Sequence, residues 1–233
     1  MDHEKPIIYV KNVRKVYRMG DEEVVALKRI NLRIYKGEVC CIFGTSGSGK
    51  STLLNQLAGM EKPTKGQVFI REKNISDMNE EELGAFRQEH MSFIFQSYNL
   101  LPSMTAVENV AMPLMFKGMD RKKREAMAEE MLKRVGLSHR LHHYPSQMSG
   151  GQQQRAGIAR AFVSRPEVVF ADEPTGNLDT KTTAEIMDMV MGFARRFNQT
   201  IILVTHDPGM SRYADRIVTL VDGIITGDER KGQ

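Results

Sequence analysis

Long apolar runs are absent from this chain. The longest clean ones, Val39–Phe43, Val168–Ala171 and Ile201–Val204, hold four or five residues, far short of the roughly 20 that span a bilayer as a helix. The opening MDHEKPIIYV places charges where a secretory leader has its apolar core. A soluble, cytoplasmic chain that cannot itself cross a membrane is expected. Cysteine is scarce: the two present, Cys40 and Cys41, are adjacent on a presumed strand, so their side chains leave on opposite faces and cannot easily bridge. They read as reduced, buried small hydrophobes. Neither sign of charge dominates, with 33 Lys and Arg against 29 Asp and Glu, a net charge of +4 and a pI near 9.0. That surplus is too mild to argue for nucleic acid. The basic run Lys117-Gly-Met-Asp-Arg-Lys-Lys-Arg124 leads into a Glu-bearing helical segment and reads as a solvated helix start, so no nucleic-acid partner is expected. No low-complexity linker divides the 233 residues, and 41% hydrophobic content suffices for a full core. One domain over residues 1–233 is the default, with room for an inserted subdomain.

Periodicity places the elements. Residues 7–36 read as short strands with a turn at Met19-Gly-Asp21. Strands follow at Val39–Phe43, Gly66–Ile70 and Met91–Phe95, with a helix near Asn79 to Gln88. From Gln96 to about Ser164 helical signals dominate: Thr105–Met115, Arg121–Val135 and a helix opening after Ser149. Strands return at Val168–Ala171, Ile201–Thr205 and Ile217–Val221 around a long helix, Thr182–Arg196. Alternating strand and helix predicts an α/β fold with a mostly parallel sheet, and the helical block at about 97–164 reads as an insertion.

Small residues crowd into Gly44-Thr45-Ser46-Gly47-Ser48-Gly49-Lys50-Ser51-Thr52, too short a stretch to bury anything apolar. It joins a buried strand to a helix N-terminus. In that context G-x-x-x-x-G-K-[ST] has a mechanical reading. The glycines let backbone N–H groups converge on phosphate oxygens, and the helix dipole adds positive potential where the anion sits. Lys50 then reaches the β- and γ-phosphates and Ser51 ligates Mg²⁺. An ordinary Gly/Ser turn is the plain alternative, disfavoured by the strand and helix flanks. The loop reads as the holder of a nucleoside triphosphate.

Three more stretches carry chemistry. Val168-Val-Phe-Ala-Asp-Glu-Pro174 ends four apolar residues in two carboxylates, which places Asp172 and Glu173 at the carboxyl end of a buried strand, where open α/β sheets bind ligands. Beside a phosphate loop, Asp172 serves the Mg²⁺ shell and Glu173 orients and polarises an attacking water. Alone, two such acids are usually a solvated loop or a helix start. His206, in Ile201-Ile-Leu-Val-Thr-His-Asp207, follows another apolar strand, so it lies on the same rim, within reach of a γ-phosphate or the water; by itself it would be a helix-entry residue. In Met148-Ser-Gly-Gly-Gln-Gln-Gln-Arg155, Ser149 can cap the following helix while Gly150 and Gly151 expose N–H groups at its positive end. A capped helix with a flexible start is the plain alternative there.

Taken in this order, the phosphate loop, Ser149-Gly-Gly-Gln152 and the strand-acid motif resemble the ATP-binding cassette ATPases. Their signature usually begins with Leu where this chain has Met148, a conservative departure. The resemblance covers nearly the whole chain. It implies a P-loop NTPase core, an N-terminal antiparallel β subdomain and an inserted α-helical subdomain. It also implies ATP and Mg²⁺ as ligands. Tyr17, 27 residues before Gly44, matches the aromatic that stacks on adenine, Gln96 the glutamine that touches Mg²⁺ and signals to a membrane partner, and Glu173 the general base. Asp179, in Gly176-Asn-Leu-Asp179, matches an acid at the dimer interface and His206 the switch histidine. Every catalytic position holds the usual residue type.

In that family the signature loop of one subunit completes the ATP site of another, so a homodimer closing on two ATP molecules is implied. Membrane permease subunits are implied to dock near Gln96, with the ATPase peripheral on the inner face of the membrane. Phe93-Ile-Phe-Gln-Ser-Tyr-Asn-Leu-Leu-Pro102, Thr105-Ala-Val-Glu-Asn-Val-Ala-Met-Pro113 and Asp172-Glu-Pro-Thr-Gly-Asn-Leu-Asp179 look like the branch serving lipoprotein release, macrolide efflux and antimicrobial-peptide resistance. Rival readings are a cassette regulating a membrane partner in cell division and a non-transport cassette, such as a translation or repair ATPase. The latter usually carry a second cassette, a charged linker, coiled coils or zinc sites, none of which is present. A GTPase is the weaker rival, for want of an Asn-Lys-x-Asp motif. Sixteen methionines, with Met104, Met112, Met115, Met119, Met127 and Met131 in the helical block, read mostly as core filler. Some of Met104, Met112 and Met115, with Leu100, Leu101 and Phe116, are expected to line an exposed apolar groove for the permease near Gln96.

Overall fold

Two long antiparallel strands open the structure, a computed structural model that describes residues 5–20 and 22–231. Asp21 of the expected turn and the first four residues lie outside the described residues. These strands, β1 (Ile8–Met19) and β2 (Glu22–Ile34), run 12 and 13 residues, where the sequence pattern predicts short ones. The reason is local: Asn12 takes φ 50, and the β1–β2 register shifts between Val10 and Val13, Val13 and Lys15, and Lys15 and Val16. Bulges of this kind interrupt the two-residue alternation without ending the strand.

Next come β3 (Val39–Phe43), α1 (Lys50–Leu57), β4 (Lys65–Ile70), the two-residue β5 (Lys73–Asn74), α2 (Glu80–His90) and β6 (Met91–Phe95). Helices α3 (Ala106–Phe116), α4 (Arg121–Arg134) and α5 (Gly150–Val163) follow. The chain then runs through β7 (Val168–Asp172), α6 (Thr180–Phe197), β8 (Thr200–Thr205), β9 (Arg216–Val221) and β10 (Ile224–Arg230). The expected elements are present within a few residues. β5 and β10 are not foreshadowed, β10 because none of its residues is fully buried and its apolar content is confined to its first three residues.

The chain divides into two compact units, Met1–Arg87 with Asn198–Gln233, and Gln88–Phe197. In the first, β2-β1-β4-β5 form an antiparallel sheet. A second set of strands runs β10-β9-β3-β8, with β3 parallel to both neighbours and β10 antiparallel to β9. β3 is central and its first four residues are buried, so it reads as a continuous apolar run. Cys40 and Cys41 are free thiols there, facing no partner sulfur. Burial raises both thiols, that of Cys41 to about 11, which keeps them protonated and inert.

The second unit packs helices around the parallel pair β6–β7, registered Met91 to Val168 through Phe95 to Asp172. Phe93 and Phe170 stack across that ladder with ring centroids 5.4 Å apart. Helix α3 begins with a capping box, the Thr105 hydroxyl accepting from the Glu108 N–H while the Glu108 carboxylate accepts from Thr105. Helix α4 begins at Asp120, whose carboxylate caps the Lys122 and Lys123 amides. The basic run is therefore a solvated helix start, as its pattern predicts. Methionines Met91, Met131, Met148, Met187, Met191 and Met210 are buried core filler.

Candidate functional site

The phosphate loop leaves β3 at Phe43 and enters α1 at Lys50. Its glycines serve specific ends. A Cβ on Gly44 would collide with the Leu220 carbonyl and stand 2.6 Å from the Ser48 hydroxyl, and Gly49, at φ 101, would press 2.7 Å against the Ala26 carbonyl. Gly47, at φ 79, faces open space. Helix α1 has no side-chain cap and no acidic residue in its first turn, so its first N–H groups point outward undisputed. The Lys50 side chain is buried and folds back, its ammonium donating to the Thr45 carbonyl at 2.7 Å. The Ser48 Oγ is buried with no partner among the described residues. An orphan hydroxyl, an inward ammonium and uncapped amides together fit an anion and nothing apolar.

His206 stands on the same rim. β8 pairs with β3 so that Thr205 lies beside Phe43, and His206 and Gly44 are the next residue on each strand. His206 is exposed. Tyr17, on β1, is tied to the same unit: its hydroxyl donates to Glu61 at 2.7 Å, and Lys15 lies over its ring, 5.1 Å from the centroid. Glu61 also pairs with Lys15 at 3.0 Å and accepts from Asn55 at 3.0 Å. Burial opposes ionisation of Glu61, but the bonds from Tyr17, Lys15 and Asn55 outweigh it and hold its carboxyl below the usual value. One ring face of Tyr17 is thus covered by a cation and its plane is fixed.

The remaining candidates belong to the second unit. Because Phe95 lies opposite Asp172, Gln96 and Glu173 are each the next residue on two paired strands. Both are half-buried. Glu173 sits at φ 43, a left-handed conformation that a non-glycine residue holds only under constraint. Gln96 is bracketed by the turn after Glu173: its Nε2 donates to the Asn177 Oδ1 at 3.4 Å and its carbonyl accepts from the Asn177 side chain at 3.2 Å. A Cβ on Gly176 would lie 2.7 Å from that Nε2. Asp179 caps α6, accepting from the Lys181 and Thr182 amides and from the Thr182 hydroxyl at 2.6 Å, and the Thr182 bonds hold its carboxyl below the usual range.

Helix α5 starts at Gly150 with Ser149 as cap. Ser149 Oγ accepts from the Gln152 N–H at 3.4 Å and the Gln152 side chain accepts from the Ser149 N–H at 3.0 Å. Unlike α1, this terminus satisfies itself in the single chain. Met148 is buried, so the thioether fills the apolar position before the cap. Further along, the Gln154 side chain donates to the Pro174 carbonyl just beyond Glu173.

With this geometry in place, a family model described as ABC transporter matches residues 27–176. The chain belongs to the ABC transporter family. The cassette is 47% identical over 219 residues to an uncharacterised ABC transporter ATP-binding protein of Methanocaldococcus jannaschii, covering 94% of this chain and 97% of that one. It is 46% identical over 225 residues to the macrolide export ATP-binding/permease protein MacB of a Shewanella species, covering 97% of this chain and 34% of MacB. It thus spans about a third of that relative's length. Among solved structures it resembles the dimeric post-hydrolysis state of the ATP-binding cassette MJ0796 bound to ADP and Pi, with a TM-score of 0.89 and 42% identity, covering 96% of this chain and 98% of that one. These likenesses agree with the macrolide and lipoprotein-release branch.

The cassette also holds residues that its sequence pattern does not announce. Glu61 and Asn55 stand about 40 positions from Tyr17 and Lys15, and none of the three around Tyr17 carries a motif. Asn109 is fully buried on α3 and donates to the Leu101, Met104 and Thr105 carbonyls while accepting from the Leu101 N–H at 2.7 Å. A lone amide between the apolar residues Ala106, Val107, Val110 and Ala111 was the signal for it. A hollow of about 190 Å³ is lined by Met104, Ala111, Met112 and Met115 together with Glu108, Arg121, Arg124 and Glu125. It contains the three expected methionines but is more charged than an apolar groove. Leu101 and Phe116 are exposed without lining it.

Proposed function

We propose that the cassette binds Mg-ATP in the Gly44–Thr52 loop, hydrolyses it between two copies of the chain and drives a separate membrane permease. The observation that carries this is the loop itself, with its orphaned Ser48 hydroxyl and the Lys50 ammonium turned inward. Lys50 exchanges the Thr45 carbonyl for β- and γ-phosphate oxygens, a stronger charge-assisted partner. Tyr17 offers its uncovered face to the base. Ser51, Asp172 and Gln96 are the protein ligands for Mg²⁺, which when bound neutralises phosphate charge. Glu173 accepts the proton of the attacking water, and His206 steadies the γ-phosphate from the same rim as Gly44. Ser149, Gly150, Gly151 and Gln152 meet the phosphates of the partner copy, with Asp179 at that interface.

The relatives support the second half of the reading. MJ0796 is a dimer in its solved form, and MacB is named as both ATP-binding protein and permease. No helix among the described residues is long and apolar enough to cross a membrane. A separate permease is the partner proposed here, with the cassette on the inner face. The hollow at Met104, Met112 and Met115 is the proposed contact, inside a helical subdomain at about 97–164 of a single ATPase domain. Glu173→Gln tests the core of the proposal. ATP binding is expected to survive, turnover to fall at least about a hundredfold, and a stable dimer to appear on size exclusion with ATP. A variant that stays monomeric and hydrolyses at the parental rate would remove Glu173 from its role.

A further inference from the structure

Arg160 has no part in the roles above, yet it makes two hydrogen bonds to the segment that follows Gln96. It sits on α5 and aims its guanidinium at the segment just after Gln96. Its Nη1 donates to the Asn99 carbonyl at 2.5 Å and its Nη2 to the Tyr98 carbonyl at 2.8 Å. No carboxylate lies within ion-pair distance of it among the described residues, and burial lowers its pKa. The guanidinium is half-buried and its partners are two neutral carbonyls, so it holds the segment by hydrogen bonds rather than by an ion pair.

The carbonyls it holds belong to a strained turn. Tyr98 and Asn99 stand at φ 61 and 49, both left-handed, and the Asn99 N–H closes back on the Ser97 carbonyl at 2.6 Å. A bulky Tyr keeps such a conformation only where its surroundings impose it. Asn109 pins the far end of the segment through Leu101. The Tyr98 hydroxyl lies 2.8 Å from where a Cβ on Gly150 would stand, so Tyr98 reaches the first turn of the helix that Ser149 caps. Arg160, Asn109 and Gly150 therefore bind the Ser97–Leu101 segment to the helices α3 and α5, and Gln96 is its first neighbour.

We propose that Arg160 is a positioning residue for Gln96: it clamps the strained Tyr98–Asn99 turn to α5, so that Gln96 and the Ser149–Gln152 end of the same helix move as one piece. The proposal rests on the reading of Gln96 as a Mg²⁺-ATP contact. It makes Gly150 a necessity of the Tyr98 contact as well as of phosphate approach. A displacement of Gln96 is passed along α5 rather than absorbed in a slack loop.

The test combines a structural readout with a double-mutant cycle. In the nucleotide-free protein, Arg160→Met is expected to speed amide hydrogen exchange across 97–101 about tenfold, with Arg160→Lys intermediate. In Mg-ATP hydrolysis, Arg160→Met is expected to lower turnover and raise the Mg²⁺ needed for half-maximal rate, by about tenfold together. In a Gln96→Ala background the same substitution is expected to add less than about twofold, because it acts through Gln96. Unchanged exchange across 97–101, or a full tenfold further loss in the Gln96→Ala background, overturns the proposal. Should Arg160→Met not fold, Arg160→Lys carries the same cycle. Failure of the underlying reading looks different: the parental chain would neither bind nor hydrolyse Mg-ATP, while the exchange measurement would still decide the clamp.

Discussion

Both ends of β3 bury polar groups, and they do so in opposite ways. At the Val39 end the charged groups have found partners. Arg216, on the neighbouring β9, is 7% exposed and forks onto Asp228 at 2.5 and 2.6 Å, donates to the Arg33 carbonyl at 2.6 Å and reaches Glu38 at 3.4 Å. Glu38 in turn accepts from the Tyr35 N–H, and the Val39 N–H donates to Asp215. At the Phe43 end the Ser48 hydroxyl is left without a partner among the described residues, α1 is uncapped, and the buried Lys50 ammonium makes do with a loop carbonyl. The same strand thus ends in a closed network and an open one. A closed network contributes to the stability of the fold, and an open one holds its capacity in reserve for a ligand.

The sharpest way to break that comparison is to remove one cation from each end. Lys50→Ala is expected to weaken ATP binding by about a hundredfold or more, since a triphosphate loses its main charge-assisted partner. Stability is expected to change by less than about 1 kcal/mol, because only one carbonyl bond is lost. Calorimetric titration and urea unfolding read the two quantities separately. Arg216→Met is the mirror image. It strips Glu38 and Asp228 of their shared partner, at an expected loss of about 2–4 kcal/mol, moderated because the Asp228 side chain is 42% exposed and rehydrates. ATP affinity of the folded protein is expected to stay within about twofold. If Arg216→Met abolished binding at unchanged stability, the two ends would not be independent.

The open end was legible in the sequence because a phosphate loop is local: nine consecutive residues contain both the cradle and its lysine. The same holds for Asp172 and Glu173 after a four-residue apolar strand, and for Ser149 before α5. The closed end was not legible. Arg216, Glu38, Asp228 and Arg33 come from four segments, and nothing in the one-dimensional pattern of any of them announces an ion network. Arg160 and Glu61 were missed for the same reason, with partners 62 and 44 positions away in Tyr98 and Tyr17. Strand β1 was misjudged in length because its bulges at Asn12 and Lys15 break the alternation that the sequence is read by.

The smallest expected effect lies at Glu61, which mixes the two kinds of end: a saturated cluster that holds a ligand-facing ring. Its carboxylate accepts from Tyr17, Lys15 and Asn55, and its pKa is held below the ordinary 4.5. A depressed carboxyl contributes stability that is present above its unfolded value and lost as pH falls through the folded one. Glu61→Gln removes that titration while keeping an oxygen that can accept from Tyr17. The parental protein is therefore expected to exceed the variant by less than about 1 kcal/mol, since the site is half-exposed and screened. That margin should stay constant across neutral pH and close as the pH drops below about 4.5. Because Lys15 loses its counter-ion and is freer to leave the Tyr17 ring, ATP affinity is expected to fall by about two- to threefold. Urea unfolding of both proteins across acid and neutral pH, with ATP titration at neutral pH, measures each part. A margin that widened toward acid would mean that folding raises the Glu61 carboxyl above its unfolded value, and the carboxylate would then not be what holds Tyr17.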